Sequence, residues 1–89
     1  MKAVITVVGK DKVGIIAEVS RVLAENKVNI LDISQTIMQD MFTMIMLADV
    51  SQSKVVFSAL ADTLSALGDT LGLSIRIQHE DLFNSMHRI

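Results

Sequence analysis

The segment best suited to chemistry is a short charged stretch between two glycines near the start of the chain. Gly9-Lys10-Asp11-Lys12-Val13-Gly14 separates an apolar run from a segment with helical periodicity. Glycines let backbone amides approach a ligand closely, and the first N–H groups of a helix attract a carboxylate. The same spacing would arise if Gly14 only permits close packing and Asp11 only caps the helix. The spacing alone therefore leaves a binding loop and a purely structural loop both open.

No pattern of catalytic residues accompanies this loop. No Lys-Ser or Lys-Thr pair follows the second glycine, so the segment is not a Walker phosphate-binding loop. Ser20, Ser34 and Thr36 have no evident histidine and carboxylate neighbours that would activate a hydroxyl nucleophile. We therefore expect no catalytic residues and no enzymatic activity.

Imidazole and carboxylate groups occur together in the C-terminal tail, and such groups are ligands for zinc and similar ions. They are His79, Glu80, Asp81 and His87. The two histidines are eight residues apart across a predicted strand-to-helix break, so we expect surface or capping roles and no metal site. The chain has no cysteine, which excludes disulfides, thiolate metal sites and a cysteine-based copper site. No cofactor is expected.

Composition narrows the class of partner. The 89 residues carry a net charge of -2, which gives no general attraction to nucleic acid or anionic lipid. Only three aromatic residues are present, too few for a sheet that stacks RNA bases. No apolar run approaches the ~20 residues that span a bilayer, and residues 3–8 are too short for a signal-peptide core. We expect one cytoplasmic domain over residues 1–89, with a core at 2–78.

Hydrophobic periodicity predicts four strands. Residues 2–8 and 42–48 are apolar on both faces, as in the central strands of a sheet. Residues 30–38 and 73–78 alternate between apolar and polar, as in edge strands with one wet face.

Helical spacing predicts two longer helices between these strands and a short one after them. The apolar stripe of the first helix is Ile15, Val19, Val22 and Leu23, and that of the second is Val56, Leu60, Leu64, Leu67 and Leu71. We expect Asp11 to cap the first helix, Ser51 or Ser53 to cap the second, and Gly72 to end it in a left-handed conformation. Leu82, Phe83, Met86 and Ile89 predict a tail helix over residues 80–89 that docks its apolar side.

The element order βαββαβ predicts an α+β, ferredoxin-like fold with a four-stranded antiparallel sheet of order 4-1-3-2. Both main helices would cover one face, leaving the central strands apolar on the other. Such a patch is too large to remain exposed, so we expect a second subunit or the C-terminal tail to cover the bare face or a sheet edge. A homodimer or a higher homo-oligomer is the expected state.

The first half of the chain resembles the ACT domain family. The resemblance rests on VGKDKVGIIAEV at residues 8–19, then Val22-Leu23 and Asn26-Lys27-Val28-Asn29-Ile30, and it extends over residues 2–78. Lys12-Val13 stands where the family often has Arg-Pro. Residues 78–89 resemble the ending of small stand-alone bacterial ACT proteins, which are similar to the repeats of the glycine cleavage system transcriptional repressor.

The resemblance implies a regulatory βαββαβ module that pairs side by side or face to face. It also implies an amino acid or similar small effector bound at the interface. The residues that would surround the effector are Asp11, Lys12, Val13, Gly14 and Ile15 of one subunit, with Asn29 and Ile30. A ligand-free dimerisation module, with or without an unidentified protein partner, is the alternative. An acylphosphatase-like hydrolase is less favoured, because Asp11 would repel an anion and no arginine follows at the helix start.

Overall fold

In the computed structural model, which describes residues 1–86, the chain forms one antiparallel sheet and three helices. The strands are β1 (Lys2–Lys10), β2 (Asn29–Met38), β3 (Met41–Asp49) and β4 (Leu73–His79). The helices are α1 (Ile15–Glu25), α2 (Phe57–Leu71) and α3 (Glu80–Met86). The strand order β2-β3-β1-β4 confirms the predicted ferredoxin-like fold, with β2 and β4 at the edges.

The core lies between the sheet and the two longer helices. Alternate residues of a strand point to the same face, so one row from each central strand is directed at α1 and α2. These rows are fully buried or nearly so, and they consist of Ala3, Ile5, Val7, Phe42, Met44, Met46 and Ala48. The predicted apolar stripe of α1 packs on them, as do Leu60 and Leu64 of α2. Apolar packing therefore fixes the end of β1 and the start of α1 in space.

Three predictions about the start of the helices were wrong. α1 begins after Gly14, not after a side-chain cap from Asp11, because a left-handed residue at Gly14 turns the chain into the helix. α2 begins at Phe57, so Val56 precedes the helix and is 70% exposed instead of buried in its stripe. Neither Ser51 nor Ser53 caps α2. The Ser51 hydroxyl donates to the Asp49 carboxylate, and the Ser53 hydroxyl donates to the carbonyl of Val55 in a local turn.

The prediction for the end of α2 is confirmed. Gly72 adopts φ +73° and ψ 31°, the left-handed conformation in which glycine commonly ends a helix. The turn leads directly into β4, which pairs with β1 from Gly9↔Leu73 to Ala3↔His79.

The sheet face opposite the two main helices is partly covered by the tail. Within the described residues, α3 contacts β1 and β4. On this face Val4 is 6% exposed, whereas Val8 and Ile45 are 37% and 40% exposed. The predicted tail residues His87 and Ile89 and the side chain of Met86 lie outside the described part of the structure. None of the helices within residues 1–86 is long and apolar enough to cross a membrane.

Candidate functional site

The loop between β1 and α1 is held in place from two sides. The backbone N–H of Asp11 donates to the carbonyl of Asp40 in the β2–β3 turn, at 2.7 Å. Gly14 has φ +93° and ψ 0°, and its carbonyl accepts the first hydrogen bond of α1, from the N–H of Glu18 at 2.9 Å. The loop is thus anchored to the sheet at one end and to the helix at the other.

A shallow cavity of about 260 Å³ lies under this loop. The loop and the first turn of α1 supply one wall, which includes Asp11, Lys12, Gly14 and Ile15. Two side chains of the sheet, Gln35 and Phe42, supply the other wall. Phe42 and Ile15 are each 2% exposed and form an apolar floor, while Asp11 and Gln35 are exposed to solvent. The cavity therefore combines an apolar surface with a carboxylate and an amide.

The beginning of α1 adds hydrogen-bond donors to this cavity. No side chain within residues 1–86 makes a cap hydrogen bond to α1, so the first N–H groups of the helix are not engaged by a side-chain cap there. These groups and the helix dipole favour a negatively charged group. A carboxylate beside the helix start and an ammonium beside Asp11 would together match the charges of this site.

Lys12 lies at the edge of the cavity and is directed towards a second helix end. Its Nζ is 3.7 Å from the position that a Cβ would occupy on Gly72, at the end of α2. The carboxyl end of a helix carries partial negative charge, so this placement is favourable for the ammonium group. Asp11 is the other charged side chain that lines the cavity.

The predicted site residues do not all meet within one chain. Asp11, Lys12, Gly14 and Ile15 line the cavity, whereas Val13 is fully exposed on the outer side of the loop. Asn29 pairs with Asp49 at the far end of β3, and Ile30 follows it. The loop joins the other end, where Lys10 pairs with Met41. Met41 and Asp49 are eight positions apart along extended β3, which corresponds to about 26 Å.

Gly9 proves to be a packing residue and not a ligand contact. It lies inside β1 between Phe42 and Leu73 of the neighbouring strands. A Cβ at this position would overlap the Leu73 side chain and lie 3.3 Å from the carbonyl of Gly72. The structural interpretation placed close packing at Gly14, and this was wrong, because a Cβ there would meet no atom within 4 Å. Gly14 instead turns the chain into α1, and close packing occurs at Gly9.

Sequence reasoning missed Gln35 and Phe42. Phe42 lies in a segment that the sequence predicts as a central strand, and nothing in the sequence distinguishes its position beside the loop. Gln35 carried a signal that could have been used. It is a polar residue between Ile33 and Ile37 in the row of β2 that faces the helices. A polar residue in an otherwise apolar row is an informative departure from the pattern.

The opposite end of the sheet carries a second polar group of residues. The carboxylate of Asp49 accepts hydrogen bonds from the hydroxyl and the backbone N–H of Ser51, and lies 3.8 Å from the Met1 ammonium. The Ser51 hydroxyl is the main cause that holds the pKa of Asp49 below its ordinary value of 3.8. This network fixes the chain terminus to the end of β3.

The histidine of the tail has a structural contact. His79 stacks on Phe57, with ring centroids 4.0 Å apart and an interplanar angle of 16°. No group of three or more histidine, aspartate or glutamate residues within positions 1–86 is arranged to hold a metal ion. His79 thus links the end of β4 to the first residue of α2.

Comparison with known proteins places this architecture in a family. Residues 2–78 match the family model described as ACT domain. The chain belongs to the ACT domain family. It is 64% identical over 89 residues to a UPF0237 protein of Clostridium acetobutylicum, with both chains covered completely.

Two solved structures are similar to this ACT domain. An ACT domain protein from Streptococcus pneumoniae is 48% identical with a TM-score of 0.81, and the match covers 93% of each chain. A structure described as a putative glycine cleavage system transcriptional repressor is 30% identical with a TM-score of 0.73. That match covers 86% of this chain and 44% of the other, so the similarity extends over less than half of the repressor.

Proposed function

We propose that this ACT domain is a regulatory module that binds an amino acid or a similar small effector in the cavity under the β1–α1 loop. One observation carries the proposal: the uncapped start of α1 and the Asp11 carboxylate border the same cavity, above the apolar floor of Ile15 and Phe42. An amino acid presents a carboxylate to the helix start and an ammonium to Asp11. The module then needs no catalytic groups of its own.

The homodimer that we propose forms through the β2 edge. All residues of β2 except Ile30 are exposed, and Leu31, Ile33 and Ile37 present apolar side chains there. A long edge strand pairs readily with a second strand through its outward backbone groups. The Ile33 N–H now donates to the Asp32 carboxylate at 2.9 Å, and strand pairing would exchange this contact for one to the partner. Antiparallel pairing of two copies about residues 33–34 extends the sheet across both subunits.

This pairing accounts for the distance between the predicted site residues. In an antiparallel arrangement, Asn29 of one subunit lies beside the end of β2 that contains Ile37 in the other subunit. Ile37 follows the cavity residue Gln35 by two positions. The partner's Asn29 and Ile30 then approach the cavity that their own chain holds about 26 Å away. The proposed site is thus shared between subunits, with the loop from one and Asn29 and Ile30 from the other.

A shared site gives the effector a means of regulation. Binding contributes free energy to the paired state alone, so the effector shifts the equilibrium between subunit arrangements by its difference in affinity for them. The relative described as a transcriptional repressor supports a role in control of metabolism, since its structure contains a region similar to this chain. The regulated target is a partner that recognises one of these arrangements.

Thermal unfolding with a panel of the twenty amino acids at millimolar concentration tests the proposal. An effector at 100 times its Kd adds about 2.7 kcal/mol of stability, or roughly 10–20 °C in Tm for a domain this small. Asp11→Lys should abolish the shift, whereas Asp62→Lys, an exposed charge reversal on α2, should retain it. A shift of equal size in all three proteins would contradict the assignment of the site.

The alternative is a ligand-free dimerisation or protein-interaction module. Exposed Val8 and Ile45 on the partly covered sheet face favour it, because apolar surface there can be buried by another protein without a ligand. A panel in which no amino acid changes Tm, together with a stable dimer by light scattering, would support this function instead.

A further inference from the structure

Gln35 occupies an unusual position in the sheet. It pairs with Met44 on β3, so its side chain belongs to the row that faces the helices. In that row of β2 its neighbours are Ile33 and Ile37, and the facing row of β3 contains only apolar residues. Gln35 is exposed at this sheet edge, as Ile33 and Ile37 are, and it also lines the cavity beside Asp11 and Phe42.

The proposed effector and the end of α2 account for the other polar groups of the cavity. The start of α1 suits a carboxylate, Asp11 suits an ammonium, and the Lys12 ammonium is directed to the end of α2. The Gln35 amide lies on the opposite wall from the loop, beside the apolar floor. Within this chain it is therefore the remaining polar side chain that can face whatever the effector carries beyond its amino and carboxylate groups. In the proposed dimer the partner's Asn29 is the other such group.

We infer that Gln35 recognises the effector side chain, and that the site selects amino acids whose short side chain carries a hydroxyl or an amide. This inference rests on the proposed function. A glutamine amide offers two donors and an acceptor, so it pairs with either group. An aliphatic side chain of the same size would cover the amide without pairing it, which costs affinity. The competing explanation is that Gln35 only keeps an edge strand soluble.

Pairs of amino acids with nearly equal volume separate these explanations. Calorimetric titration of the 89-residue chain compares threonine with valine, and asparagine with leucine. The wild type should bind the polar member of each pair roughly tenfold more tightly, the ratio expected for one hydrogen bond. Gln35→Leu should remove this preference while it retains or improves binding of valine and leucine.

Two further variants serve as controls. Gln35→Met keeps the length of the side chain and should behave as Gln35→Leu does, so the result does not depend on one substitution folding well. Thr36→Val changes the next residue, which points to the opposite face of β2, and should keep the wild-type preference. Light scattering checks that all variants keep the same oligomeric state.

The outcomes distinguish this inference from the proposed function. If none of the twenty amino acids binds to the wild type, the proposed function is overturned, and the inference with it. A wild type that binds amino acids without favouring the polar members, or whose preference survives in Gln35→Leu and Gln35→Met, overturns the inference alone. Loss of the preference in both Gln35 variants and its retention in Thr36→Val supports it.

Discussion

Replacement of Gly14 by alanine isolates the backbone conformation that turns the chain into α1. Gly14 has φ +93°, and a Cβ added there meets no atom within 4 Å, so an alanine side chain gains and loses no contacts. The remaining cost is the left-handed backbone, about 1–2 kcal/mol for an alanine. Reduced entropy of the unfolded chain offsets about 0.5 kcal/mol of this. We expect a net loss of about 1 kcal/mol.

Urea denaturation at 25 °C with a common m value measures this loss. Gly14→Asn should recover part of it, because asparagine tolerates the left-handed region better than alanine. Gly72→Ala is the matched control: its φ is +73°, and its Cβ would lie 3.7 Å from the Lys12 Nζ. Gly72→Ala should lower the free energy of unfolding by a similar amount. It should weaken effector binding less than Gly14→Ala does, because Gly14 lines the cavity and Gly72 does not. A Gly14→Ala protein as stable as the wild type would refute the loop geometry described above.

Three other substitutions test the packing and the electrostatics. Gly68→Ala should lower the free energy of unfolding by about 1–2 kcal/mol in urea denaturation, because the new Cβ would lie 2.7 Å from the carbonyl of Leu73. This overlap should outweigh the higher helix propensity of alanine, so a stabilised variant would contradict the packing. Met46→Ala removes a fully buried side chain and should cost about 2–5 kcal/mol in the same assay, so a loss below 1 kcal/mol would argue against the core described here. Ser51→Ala should raise the pKa of Asp49 towards 3.8, followed by NMR titration of the carboxylate. Because the pKa of Asp49 is lower in the folded state, the stability that Asp49 contributes is complete above about pH 4 and is lost as the pH falls through the folded pKa. Ser51→Ala should reduce this loss of stability. An unchanged pKa of Asp49 in the variant would contradict the hydrogen bond.

Periodicity alone predicted the strand order and the buried faces because the central strands are apolar on both sides and the edge strands are not. It failed at the helix starts, where several residues compete for the cap position. Asp11, Ser51 and Ser53 are all good capping types, yet Gly14 and Val56 hold those positions. Backbone conformation decided both cases, and residue type does not reveal it.

The site was predictable only in its local part. Residues 11–15 are contiguous, so one motif identified four residues that line the cavity. Gln35 and Phe42 reach the cavity through the pairing of β2 with β3 and β3 with β1, which depends on register. The assignment of Asn29 and Ile30 to the site came from the family resemblance. Within a single chain, both residues lie at the other end of the sheet. Contacts that depend on register or on a second subunit are not encoded in local spacing.

Complementation between two defective variants tests the central claim that the effector site is shared between subunits. Asp11→Lys removes the loop half of the site and Asn29→Ala the partner half, and each homodimer should bind no effector. A heterodimer of the two, purified with different affinity tags, contains one intact site in the shared arrangement. Calorimetry should then find one effector bound per heterodimer, with an affinity close to that of the wild type. A heterodimer that binds no effector, when the wild type binds two, would contradict a site built from both subunits.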